Sequence, residues 1–321
     1  MMTDQMGNQV RNQIPRKNPF WSLAGPFMGY VAIQWGVQLV LQFFIQAPYA
    51  AHAYAEILRS ETALTSQEVM DAFLKAMEPA LEASLRHQVE VAGIAALCTL
   101  ILTGIFFARD RKQEKICQVA VPERAPVTKY WTLLAFGIAG CVAATSLLTM
   151  AQIALYDVEY QETAQNLYSA GLPVQILCLG IVIPLAEEMM FRGILFKRFR
   201  ERRTFWYSAL CSALFFSFMH TNTTQMIYAF LLGIMLAYVY EKFGSVRAPL
   251  VLHIVMNCTS VVLTELGVFT WLVAEPVRIS AASIVGAFLC SVVFVRIQRV
   301  GEPLSGNASG GGGDGQQNRF W

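Results

Sequence analysis

The chain has 321 residues, of which 55% are hydrophobic and only 14% charged, with a formal net charge of +2. A soluble domain carries about a quarter charged residues, so this composition excludes an ordinary soluble globular protein. It points instead to a lipid bilayer as the surrounding medium.

The apolar residues fall in blocks of about 20, the length that crosses a bilayer as helix. Eight spans are read, at about 22–45, 89–107, 130–155, 172–191, 205–220, 224–241, 249–268 and 276–296. The expected fold class is therefore all-α, a polytopic membrane protein with about eight transmembrane helices.

A polar segment, 1–20, carries Arg11, Arg16 and Lys17. The apolar run after it is too long for a signal-peptide core and lacks a cleavage pattern, so it reads as a retained span. An N-terminal transmembrane region covers 21–155 and includes a long, acidic, extracytoplasmic loop at 46–88. Within that loop Thr65-Ser66-Gln67-Glu68 has the form of a capping box. Val69, Phe73, Met77, Leu81 and Leu85 follow at helical spacing, with Pro79 placed to bend the helix.

Residues 108–129 and 192–203 are rich in Lys and Arg, whereas 156–171 has acids and neither base. The positive-inside rule then places both termini in the cytoplasm. These basic loops lack interleaved aromatics and read as topology determinants, so no nucleic-acid partner is expected. A C-terminal transmembrane region, 156–300, precedes a Gly-rich tail, 301–321, which is expected to be disordered. The seven cysteines form no CxxC pair and six lie in apolar runs, where they read as small packing residues.

The fourth span ends in Glu187-Glu188-Met189-Met190-Phe191-Arg192. An acidic residue in mid-membrane costs roughly 3 kcal/mol, so a pair of them calls for a partner or a task. Glu188 and Arg192 stand four apart on one helix face and can pair. Glu187 points about 100° away. One structural and one working carboxylate is the functional reading; two acids that merely mark a helix end beside Lys197, Arg198 and Arg200 is the plain one.

Of the four histidines, His52 and His87 lie in the long loop and read as solvated. His220 closes the fifth span, and His253 shares a helix face with Asn257 in the seventh. Interhelical hydrogen bonds that glue the bundle would explain each polar group singly. They would not explain why these groups gather in three segments of one half of the chain.

Glu187-Glu188-x-x-x-Arg192, Phe216-x-x-x-His220 and His253-x-x-x-Asn257, in this order on membrane helices, resemble the CAAX protease and bacteriocin-processing family of intramembrane proteases. The resemblance covers about residues 170–270. It implies hydrolysis of a peptide bond in a membrane-anchored protein or peptide, of prenylated CAAX type in the eukaryotic relative. The expected location is a bacterial cell membrane. Under this reading Glu187 and His220 activate water. His253 and Asn257 donate to the oxyanion. Glu188 and Arg192 fix the helix that presents Glu187.

A metal reading stays open beside it: Glu187, His220 and His253 make a zinc set with a free position for water. His-Glu-x-x-His is absent, and the Gly-x-Gly-Asp pattern at 311–314 lies in the tail, so zincin and aspartyl sites are not expected. From a different class, a non-catalytic immunity or scaffold protein would keep the constellation for binding, although it has no need of an unpaired Glu187. A transporter would show repeats in both halves. One difficulty is depth. His220 lies ~24 Å along its span while His253 is one turn past Pro249, so straight helices would separate them.

Overall fold

The computed structural model describes residues 18–59, 65–119, 122–151, 170–220 and 222–300. Most of the polar N-terminal segment, the core of the acidic 156–171 loop and the Gly-rich tail lie outside the described residues. Those described form helices and turns, with no strand among them.

Helix α1 (Pro19–Arg59) runs 41 residues, well past the expected end near residue 45. Ala47, Ala50, Ala51, Ala53 and Ala55 sustain it, since alanine is the best helix former. Much of the expected long loop is therefore helical. After it come α2 (Ser66–Ala76) and α3 (Glu78–Arg86), which lie against α1. The capping box forms: the Thr65 N–H donates to Glu68 Oε2 at 2.7 Å, and the Glu68 N–H donates to Thr65 Oγ1 at 3.4 Å. These bonds, first the Thr65 N–H and then its hydroxyl, hold the Glu68 carboxyl below its usual value of 4.5. Pro79 sits in the first turn of α3, where its missing N–H costs nothing, so the amphipathic stretch breaks instead of bending.

Further helices and short connections complete the bundle. They are α4 (Gln88–Ile116), α5 (Trp131–Met150), α6 (Leu172–Arg200), α7 (Phe205–Ser217), α8 (Thr223–Phe243) and α9 (Arg247–Glu265), followed by α10 (Val268–Val273) and α11 (Pro276–Gln298). Among the described residues seven helices are long and apolar enough to cross a membrane. The fifth expected span, α7, has 13 residues and is only about 20 Å long, short of a ~30 Å hydrocarbon core. The outer faces carry large apolar side chains such as Trp35, Phe43 and Phe288, each more than 60% exposed, as a lipid-facing surface requires.

Helix α6 occupies the centre, with α4 on one side and α9 on the other, while α7 and α8 pair closely. Small residues set these approaches. A Cβ on Gly93 of α4 would stand 2.6 Å from Cys178 Sγ of α6, and one on Gly180 of α6 would stand 2.7 Å from Cys258 Sγ of α9. All seven cysteines are free thiols, and Cys178 and Cys258 act as the small packing residues expected of them.

Candidate active site

Helix α6 is not a uniform α-helix. Ile176–Val182 and Phe191–Phe196 are π-helical and flank a short α-helical stretch, Ile183–Met190, that carries both glutamates. Pro184 accounts for the first π turn. It has no N–H, and in an α-helix its ring would press on the carbonyl four residues back; the wider turn relieves that contact. The Ile183 N–H bonds to the Cys178 carbonyl, five residues back. The next carbonyl, that of Leu179, would need the N–H that Pro184 lacks. Asn257 Nδ2 of α9 supplies the hydrogen instead, at 3.0 Å.

The second glutamate is the anchored one. Glu188 Oε1 accepts from Arg192 Nη1 at 2.8 Å, and both side chains are at most 1% exposed. Arg192 Nη2 also donates to the Gly233 carbonyl of α8 at 3.0 Å, and its guanidinium lies 4.6 Å from the centre of the Phe216 ring. Gly233 permits this, since a Cβ there would stand 3.3 Å from Nη2 and 2.9 Å from Ala213 of α7. His253 Nδ1 stands 2.9 Å from the same Glu188 Oε1. The carboxylate can only accept, so Nδ1 carries the hydrogen and Nε2 is turned toward Glu187 Oε2, 3.7 Å away. Glu187 is the open member, with its side chain 14% exposed.

Phe216 is the hub that unites the motifs. Its ring centre lies 5.2 Å from His220, 5.8 Å from His253 and 5.2 Å from Phe191, all edge-to-face. The difficulty over depth is thereby removed: α7 stops at Ser217, the chain turns, and both histidines meet one phenyl ring. His220 Nδ1 bonds to the Phe216 carbonyl at 3.2 Å, so this nitrogen also carries the hydrogen.

Residues 169–259, which hold all of these side chains, match the family described as "Type II CAAX prenyl endopeptidase Rce1-like". The resemblance read from the three motifs holds over this region.

Curated relatives agree with it. "Putative membrane peptidase YdiL" of Bacillus subtilis is 30% identical over 34% of this chain and 41% of its own length. "UPF0177 protein YaiF" of Lactococcus lactis is 32% identical over 32% of this chain and 49% of its own. An "Uncharacterized 24.3 kDa protein" of Escherichia coli is 34% identical over 24% and 38%. The chain thus spans less than half the length of each. No solved structure matches the chain. With its seven membrane-length helices and these bacterial relatives, the chain is an integral, multi-pass membrane protein of a bacterial cell membrane.

Within the matched region the expected residues come together, but their pairing changes. By distance the neighbour of Glu187 is His253, not His220, because Glu188 turns the His253 ring toward it. Asn257 commits one amide hydrogen to Leu179, which leaves one for any other acceptor. Among the described residues no three His, Cys, Asp or Glu side chains stand grouped as they would to hold one ion, Glu187, His220 and His253 included.

Three neighbours escaped the sequence reading. Tyr30 of α1, 3% exposed, lies in the electrostatic field of Glu187 and Glu188, and its side chain hydrogen-bonds with Thr99. Tyr228 stands 6.4 Å from His220, ring to ring. Asn222 caps α8 by accepting the Gln225 N–H at 2.8 Å, while its own buried Nδ2 has no partner among the described residues. Each belongs to an element far in sequence from the glutamates, and no local spacing marks it.

Proposed function

We propose that this protein is an intramembrane endopeptidase that hydrolyses a peptide bond in a membrane-anchored protein or peptide, of which a prenylated CAAX protein is one type. The observation that carries this reading is the pair of facing acceptors, Glu187 Oε2 and His253 Nε2, 3.7 Å apart in a nearly closed site. With Nδ1–H given to Glu188, neutral His253 offers a lone pair at Nε2. A water lying against both atoms donates one hydrogen to each, which leaves its oxygen lone pair facing the substrate.

Glu187 takes the proton as the water oxygen bonds to the scissile carbonyl carbon. The same proton passes to the departing amine nitrogen as the C–N bond breaks, so one water is consumed and Glu187 is regenerated. The remaining amide hydrogen of Asn257 is a donor for the oxyanion. Glu188 and Arg192 are positioning residues: they set the tautomer and the aim of His253 without touching the reacting atoms. His220 lines the substrate side of Phe216.

The test is cleavage of lipidated and unlipidated peptides by purified protein, wild type beside Glu187→Gln and His253→Gln, with and without a chelator. Loss of cleavage in both variants and survival in chelator is the expected result. Full cleavage by Glu187→Gln would overturn the reading in favour of a non-catalytic or differently catalytic protein. Loss on chelation, restored by zinc, would move the chemistry to a metal.

A further inference from the structure

One face of α1 carries a polar column that the chemistry above does not use. Tyr30, Gln34, Gln38, Gln42 and Gln46 follow one another at intervals of four residues. Each step of four advances the side chain by about 40° around the helix, so the column follows a slanted ridge of the kind that packs into a neighbouring helix. It spans about 24 Å along the axis. The residues flanking it face lipid: Trp35 is 65% exposed, Leu39 69% and Phe43 66%. The column itself is half-buried or buried and turned inward.

At its outer end Gln38, Gln42 and Gln46 line a cavity of about 410 Å³ with Leu81, Ser84 and Gln88. At its inner end Tyr30 packs edge-to-face on Phe191 of α6, 5.9 Å between ring centres and four residues after Glu187. Glutamines that served as glue would pair with one another or with α3 and α4. Only Gln46 does so, donating from Nε2 to Ser84 Oγ at 3.1 Å. The side-chain oxygens of Gln34, Gln42 and Gln88 are buried with no hydrogen-bond partner among the described residues. An amide oxygen left in that state is costly, the more so in an apolar setting, unless water meets it. Polar groups of Gln38, Gln42, Gln46, Ser84 and Gln88 stand in an otherwise apolar lining, and the cavity is large enough to hold several waters, each needing about 30 Å³.

We infer that the column from Gln46 to Tyr30 is a hydrated track that brings water from the end of the bundle formed by α1, α3 and α4 to Glu187 and His253. Its use rests on the proteolytic reading, because water is the second substrate of that reaction. Its existence does not rest on it. The spaced amides act as stepping acceptors along an otherwise apolar bundle. Tyr30 closes the track against Phe191 of α6.

Two measurements test the track. First, Gln34→Cys, Gln38→Cys and Gln42→Cys are labelled in proteoliposomes with a charged, water-soluble methanethiosulfonate reagent, with Leu39→Cys as the lipid-facing control and modified sites read by mass spectrometry. Only an ionised thiol reacts, so the three column positions should label at least about tenfold faster than position 39. Equal, slow labelling at all four would overturn the inference. Second, Gln38→Leu with Gln42→Leu should lower kcat about tenfold at unchanged KM, with activity restored in Gln38→Asn with Gln42→Asn. Unchanged kcat in the leucine pair would overturn the supply role. Protection of Gln42→Cys by bound peptide substrate would overturn water as the occupant and make the column a peptide groove. If the column labels but wild-type protein cleaves no peptide and Glu187→Ala leaves its cellular effect intact, the proteolytic reading fails while the hydrated column stands.

Discussion

Arg192 and Arg198 are both buried on α6, and they are held in opposite ways. Arg198 is saturated: Nε and Nη2 form a fork on Asp110 of α4 at 2.8 and 3.0 Å, and Nη1 donates to the Ser22 carbonyl of α1. Arg192 makes one bond to its carboxylate, at 2.8 Å, and among the described residues neither its Nε nor Glu188 Oε2 has a partner. In that second cluster His253 shares Glu188 Oε1 with Arg192 and turns toward Glu187. A satisfied ion pair clamps three helices. An incompletely satisfied one holds a site. The difference teaches that burial of charge marks neither role by itself; what is left unpaired does.

Removing Arg192 should have the largest effect, because it leaves Glu188 buried without a counter-charge. Arg192→Met is expected to cost about 3–5 kcal/mol, read as thermal unfolding in detergent, and to abolish peptide cleavage as well. Asp110→Ala should cost a similar ~3–5 kcal/mol, yet cleavage per folded molecule should match wild type. Equal loss of specific activity in both variants would erase the contrast.

Glu187→Gln sharpens it from the other side. Cleavage should fall by about 10²–10⁴. Thermal stability should stay within roughly 0.5 kcal/mol of wild type, since Glu187 anchors nothing. Gly233→Ala comes next: the new methyl meets backbone of α7 and the Arg192 fork, and overpacking of this kind costs about 1–3 kcal/mol. The smallest effect lies far from both arginines. Thr65→Ala removes the cap of α2 at a cost of about 1 kcal/mol without touching cleavage. The capping carboxylate Glu68 has a folded value below its unfolded 4.5, so its contribution is complete above that pH and is lost as the pH falls through the lower folded value. Amide exchange at Glu68 should accelerate over that acidic interval, and in Glu68→Gln the acceleration should vanish.

Much of the fold was legible because helix period and bilayer thickness act locally. Eight apolar runs announced an all-helical membrane protein, the spacing of Glu188 and Arg192 announced their pairing, and Thr65 to Glu68 announced a cap. The limits of local reasoning show at Arg198. It was read as a free topology charge, whereas it pairs with Asp110, 88 residues away. No spacing rule reaches that far.

The amino-acid sequence by itself determined the medium, the helices and the inventory of the site, since hydrophobicity, i and i+4 adjacency and residue chemistry need no tertiary context. The tertiary structure alone decided which groups face each other. Pro184 forces a π turn whose orphaned Leu179 carbonyl draws in Asn257, and that contact, with Cys258 seated on Gly180, sets the rotation of α9. The rotation delivers His253 to Glu188 and aims its Nε2 at Glu187. The end of α7 at Ser217 brings His220 to the same phenyl ring as His253. These outcomes depend on how one helix is turned against another, a long-range packing result that no single stretch of the chain encodes.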